Sequence, residues 1–298
     1  MWLIFALLTT LSWAFADLFY KKGAVTEDKA SHIKTVIMVG LVMGIHGFCY
    51  MLINKIPFSP VYLITYFPVS FLYILSMAIG YFGLRYIELS ISSPVQNSSG
   101  AVTSILIFLF FSHTLSFLET GAIVIITFGI VALAAMEKQN DKTLISDPDS
   151  AKYQTGLLAI TFPILYCIID GLGTFADAIY LDELSLIGED EALLAYEFTF
   201  FICAVIAFVI LKIKKQSFCL REEKDRGAAA IFETAGQFFY VFAMAKNAII
   251  VAPLVASYSV FSVLLSRIFL REKLSKKQYF TVVAVMAGIA MLALSEVI

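Results

Sequence analysis

The sequence predicts an all-α integral membrane protein: ten transmembrane helices arranged as two inverted five-helix repeats. Three observations carry this expectation. The first is composition: 60% of the 298 residues are hydrophobic and 15% charged, with a mean hydropathy of +0.88, whereas soluble domains are about half apolar and about a quarter charged. The second is that the apolar residues gather into ten runs, each close to the ~20 residues a helix needs to cross ~30 Å of hydrocarbon. The third is a register shared by the two halves of the chain. Together they exclude a disordered chain, a disulfide-stapled secreted domain and a soluble enzyme with an appended anchor.

The runs cover 2–20, 33–53, 63–84, 91–111 and 117–136, and then 155–181, 192–211, 227–245, 249–270 and 278–295. No Lys or Arg precedes the first run and no small-residue cleavage site follows it, so it is expected to be a retained helix and not a signal peptide. Most linkers are short, which makes consecutive helices antiparallel neighbours. The longest polar stretch divides the chain into a first repeat (1–136), a linker (137–154) and a second repeat (155–298).

Laying residues 81–136 over 240–295 without a gap superposes Tyr81 on Tyr240, Pro94 on Pro253, Ser98 on Ser257, Leu115-Ser116 on Leu274-Ser275 and Gly129 on Gly288. Leu133 and Ala134 fall on Leu292 and Ala293 in the same register. A second register sets Ala6 on Ala159, Trp13 on Tyr166 and Asp17 on Asp170. Such self-similarity reads as a duplication. An odd number of helices per copy makes the second copy enter from the opposite side, the inverted-repeat plan in which one midplane site opens alternately to either face.

Charge placement orients this map. Eighteen of the 21 Lys and Arg residues lie in the loops after the odd-numbered spans, and the alternate loops hold only Lys55 and Lys246. By the positive-inside rule both termini face away from the cytoplasm, in a multi-pass protein of the cell membrane. The net charge of −2 carries little beside this asymmetry. Cys49, Cys167 and Cys203 lie in apolar runs and Cys219 in a charged loop; none shows metal-ligand spacing, and the thiols within the runs are expected to be small apolar fillers.

Leu11-Ser12-Trp13-Ala14 in the first span, Pro94 and Pro253 opening spans four and nine, and Arg271-Glu272-Lys273-Leu274-Ser275 followed by Gln278 and Gly288 give the chain a resemblance to the drug/metabolite transporter superfamily, in its EamA-like branch. The corresponding first-half loop, Ser112-His113-Thr114-Leu115-Ser116, lacks the charged pair. The resemblance implies transport of a small metabolite or drug without ATP hydrolysis and leaves the cargo open.

A carboxylate inside a membrane is costly unless it is paired, protonated or lining water, so intramembrane acids are functional candidates. Asp17 and Asp170 occupy equivalent places, each one turn after an aromatic residue, Trp13 or Tyr166, and i,i+4 spacing puts ring and acid on one face. Carboxylate and aromatic face together suit a cation. The alternative for Asp17 is an interfacial ion pair with Lys21 and Lys22. Asp177 continues the face of span six, and Gly171 and Gly173 either loosen that helix or let it pack closely. Glu233, Gln237 and Tyr240 form an i, i+4, i+7 polar stripe that faces the bundle, for substrate or for an interhelical network. Asn97, Ser257 and Tyr258 occupy the turns after the two prolines, where uncharged donors would orient a polar ligand. His46 reads as a satisfied core histidine, and Glu197 as an interfacial acid or a gate.

The expected function is a secondary transporter, an exporter or exchanger, that moves a cationic or zwitterionic amine or amino-acid-type cargo by alternating access. Asp17, Asp170 and Glu233 are the candidate proton-coupling groups. The partners are the lipid bilayer, a small-molecule substrate and, if transport is coupled, protons. The sequence holds no catalytic motif and no metal cluster, and points to no cofactor and no nucleic acid. One chain suffices to build the site, which leaves monomer and dimer both open. The rival readings are a membrane enzyme acting on a lipid-linked substrate and a non-transporting scaffold or sensor.

Overall fold

The computed structural model describes residues 1–25, 27–111, 115–140, 157–272 and 275–295. Most of the linker expected at 137–154 lies outside these residues, as do Ser112, His113, Thr114, Lys273 and Leu274. All regular secondary structure among the described residues is helical: α1 (Trp2–Gly23), α2 (Ser31–Asn54), α3 (Val61–Thr65), α4 (Phe67–Gly83), α5 (Leu89–Asn97), α6 (Ser99–Phe110), α7 (Phe117–Asn140), α8 (Leu157–Ala178), α9 (Glu189–Ile213), α10 (Lys224–Ala256), α11 (Tyr258–Leu265) and α12 (Lys276–Ser295). Two π-helical turns, Ile179–Glu183 and Ser266–Leu270, extend α8 and α11.

Six stretches of the described residues are long and apolar enough to cross a membrane, and one of them, Lys224–Leu270, is 47 residues long. At ~1.5 Å per residue a continuous helix of that length would exceed twice the hydrocarbon thickness. It breaks at Asn247, whose φ of −166° and ψ of 72° leave the helical region, between the two apolar runs expected at 227–245 and 249–270. The runs expected at 63–84 and 91–111 are also interrupted, at Tyr66 and at Ser98. Pro94 in α5 has no N–H to bond the carbonyl one turn back, which weakens the helix just before the Ser98 break. Pro68 sits in the first turn of α4, where a missing N–H costs nothing.

The main helix contacts pair the first half with the second: α1 on α10, α2 on α9, α4 on α8 and α7 on α12. Between α1 and α10 the Thr9 hydroxyl donates to the Gly236 carbonyl at 3.2 Å. Gly236 also faces the Trp13 indole, and any side chain there would displace the ring. The outer surface stays apolar, with Phe108, Phe128, Ile213 and Phe280 all exposed. In water this would be an aggregation hazard; in a bilayer it is the lipid-facing wall.

Charged side chains fasten the helix ends. Glu272 accepts the Leu89 and Ser90 amides at 3.2 and 2.9 Å, capping α5, and Asp182 accepts the Ala248 amide at 2.8 Å just beyond the Asn247 break. Lys21 donates to the carbonyls of Leu84 and Ile87 at 2.8 and 2.5 Å. At the mouth of α10, Arg226 pairs with Glu223 and donates to Ser31 at 2.8 Å. Asp28 accepts the Ala30 amide and pairs with Lys34 at 2.8 Å. Partial burial raises the Asp28 carboxyl, but Lys34, the Ala30 amide and Arg226 outweigh it and hold the group below the usual carboxylate range.

Candidate functional site

A central cavity is lined by α1, α4, α5, α6, α8, α9, α10 and α11, and Asn97 and Ser99 on either side of the Ser98 break both face it. Its aromatic wall comprises Trp13, Tyr73, Tyr166, Tyr196, Tyr240 and Tyr258. The Trp13 ring centroid lies 5.0 Å from that of Tyr240 and 5.8 Å from that of Tyr258, in a near-perpendicular arrangement with the latter. The Trp13 indole N–H donates to the Glu233 backbone carbonyl at 3.3 Å, which fixes the ring against α10. The cavity has a volume of about 60 Å³.

Asp170 and Glu233 line this cavity. Asp170 Oδ2 accepts the Ser99 hydroxyl at 2.8 Å, and its Oδ1 accepts that of Ser76 at 3.4 Å, so α4 and α6 both hold the acid on α8. Glu233 accepts the Tyr20 hydroxyl at 3.3 Å, and Tyr20 in turn accepts from Tyr81 at 3.0 Å. Asp17 is not among the lining residues. Its Oδ2 takes hydroxyls from Ser93 at 2.5 Å and Ser262 at 2.8 Å, which ties α1 to α5 and α11.

Asp177, fully buried, takes hydroxyls from Tyr66 and Tyr73, and the Tyr73 hydroxyl lies 2.7 Å from that of Tyr240 on the cavity wall. Gly171 lets α8 approach α6: a Cβ there would meet Val102 at 3.0 Å and the Ser99 carbonyl at 3.2 Å. The helix stays continuous through both glycines, so their role here is close packing.

Of the other residues expected at the site, Asn97, Tyr166, Gln237, Tyr240 and Tyr258 line the cavity. Asn97 donates to the Ser93 carbonyl at 2.9 Å. Ser257 is buried off the wall, and its hydroxyl donates to the Leu254 carbonyl at 2.5 Å. Ser99, in the turn after Pro94, also lines the cavity, as do Tyr73, Met77 and Tyr196, which carry no individual signal in the sequence. The acid-holding serines had a sequence signal, since Ser76, Ser93 and Ser262 are hydroxyls within apolar runs. His46 and Glu197 lie apart from the lining residues, with Nδ1 2.8 Å from Oε1, and bridge α2 to α9.

The comparisons with known proteins agree with this architecture. Residues 157–294 match the family model described as the EamA-like transporter family. Over these residues the second half of the chain is similar to that family. That family is part of the drug/metabolite transporter superfamily. No curated protein matches the chain. Among solved structures, one described only as "Crystal structure of protein" has 12% sequence identity, a TM-score of 0.66, and coverage of 98% of this chain and 96% of its own. At that identity the likeness shows a shared fold. The EamA-like match ends at 294, within α12, and begins at the first residue of α8.

Proposed function

We propose that this chain is a secondary transporter of ten membrane crossings in two inverted repeats, 1–136 and 155–298 joined by the linker 137–154, with both termini on the non-cytoplasmic side. The pairing of helices supports the inversion. Exchanging the repeats turns the contact of α1 with the first part of α10 into that of α8 with α4, turns that of α5 with α11 into that of the last part of α10 with α6, and maps α2 on α9 and α7 on α12 onto themselves. Alternating access then follows from rocking one set of paired helices against the other.

The cargo is a cationic or zwitterionic amine, including amino-acid-type molecules. The observation that carries this reading is the cavity wall, where Asp170 and Glu233 stand among six aromatic side chains. A cation there gains both carboxylate attraction and the ring quadrupoles. Asp170 or Glu233, or Asp17 behind the wall, can hold a proton when the cargo is absent, which couples export to proton entry. Uptake of radiolabelled amines, quaternary ammoniums and amino acids into proteoliposomes, with and without a pH gradient, tests both parts. Flux of a cation that ignores the gradient would remove the coupling, and flux confined to anions would remove the cationic cargo.

A further inference from the structure

Gln237 on α10 is 3% exposed, lies one turn beyond Glu233 and lines the central cavity. Among the described residues its amide nitrogen has no hydrogen-bond partner. Several polar groups of the cavity wall are already committed: Ser99 to Asp170, Glu233 to Tyr20, Tyr73 to Tyr240 and Asn97 to Ser93. A buried primary amide carries two N–H donors, and leaving them unmade is destabilising until an acceptor arrives. Rotation about the last side-chain bond turns either end of the carboxamide to the cavity. None of the described lining residues is Lys, Arg or His. A cargo carboxylate would therefore meet acids with no cation to balance it.

We propose that Gln237 determines the specificity of the cavity, donating its amide N–H to a neutral hydrogen-bond acceptor, a hydroxyl, ether or amide oxygen, carried by a cationic cargo. This rests on the cationic reading above and narrows it, because it sets aside zwitterions. Glu233 and Gln237 are one helical turn apart, which places their Cβ atoms roughly 6 Å from each other. Ammonium and acceptor are accordingly separated by a short spacer of two or three carbon atoms. The cavity has room for roughly four to six water-sized groups, which suits a compact head group of this kind.

The test is equilibrium binding to the purified full chain in nanodiscs, using isosteric probe pairs. Choline is compared with propyltrimethylammonium, and 2-aminoethanol with propylamine; β-alanine is the zwitterion. The hydroxylated member of at least one pair should bind about tenfold more tightly than its deoxy partner, and Gln237→Met should abolish that preference. Equal binding within both pairs by the native protein overturns the role of Gln237 while leaving the cationic cargo standing. Failure of all four cations overturns both. A preference that survives in Gln237→Met, or β-alanine binding as tightly as the hydroxylated cations, overturns the assignment of the donor or of the neutral acceptor. If Gln237→Met does not fold, the comparison within each pair on the native protein still decides.

Discussion

Nδ1 of His46 lies 2.8 Å from Oε1 and 3.0 Å from Oε2 of Glu197, so one imidazole nitrogen serves both oxygens of a fully buried carboxylate. The contact crosses 151 residues of sequence and joins α2 to α9. Removing one partner of such a pair leaves the other buried and unmatched, which costs more than removing both. His46→Ala should therefore lower stability by about 1–3 kcal/mol, and adding Glu197→Gln should restore part of the loss. Thermal unfolding of the two single variants and the double variant in detergent measures the coupling. Strictly additive effects would mean the pair contributes nothing.

Asp170 is the acid most directly placed to meet cargo, since it lines the cavity and holds two serine hydroxyls. Asn at this position retains an oxygen that accepts from Ser99 but carries no charge. Asp170→Asn is expected to fold and to bind a cationic probe at least tenfold more weakly, the loss of about 1.4 kcal/mol of charge attraction. Ligand-induced shifts in melting temperature report this directly. An unchanged shift would assign Asp170 to structure alone.

The helical, membrane-spanning character of the chain was legible because apolar run length is a one-dimensional signal. So was the separation of the runs around Asn247, where Lys246 and Asn247 interrupt them. The break at Tyr66 was not, since an aromatic residue does not disrupt a hydropathy pattern, whereas the one at Ser98 had a signal in Pro94 and the polar Gln96-Asn97-Ser98-Ser99. Equivalence of Asp17 with Asp170 pointed to two acids, but not to their different surroundings. Ser93 and Ser262 reach Asp17 across 76 and 245 residues, and only the folded packing of α1, α5 and α11 brings them there. The pairing of His46 with Glu197 escaped for the same reason: periodicity reports which face a residue occupies, and never which other helix that face meets.

Glu272 and Asp182 cap backbone amides at corresponding places, for Leu89 and Ala248 coincide when residues 81–136 are laid over 240–295. Each carboxylate satisfies donors that a helix leaves unpaired at its start and complements the helix dipole. Glu272→Ala and Asp182→Ala should each cost about 1 kcal/mol. Glu272→Gln should cost less, because its amide oxygen still accepts a hydrogen bond. Melting temperatures of the three variants check the order, and equal losses for Gln and Ala at position 272 would show that charge, not hydrogen bonding, dominates that cap.

Asp28 connects the start of α2 to the mouth of α10, through Lys34 at 2.8 Å and Arg226 at 3.8 Å. Its carboxyl is held below the ordinary range, so the folded chain binds that proton less readily than the unfolded chain does. The stabilising contribution is then complete above the unfolded-state value of about 3.9 and disappears as pH falls through the lower folded-state value. Asp28→Asn removes the charge at every pH. The difference in melting temperature between native protein and variant should therefore hold constant from pH 5 to pH 8 and close only below about pH 4. Because Asp28 is partly exposed, ~1 M salt should shrink that difference by screening the pairs. A difference that widens towards acid would mean that Asp28 is stabilised in its protonated form and that Lys34 and Arg226 do not act on it as the geometry implies.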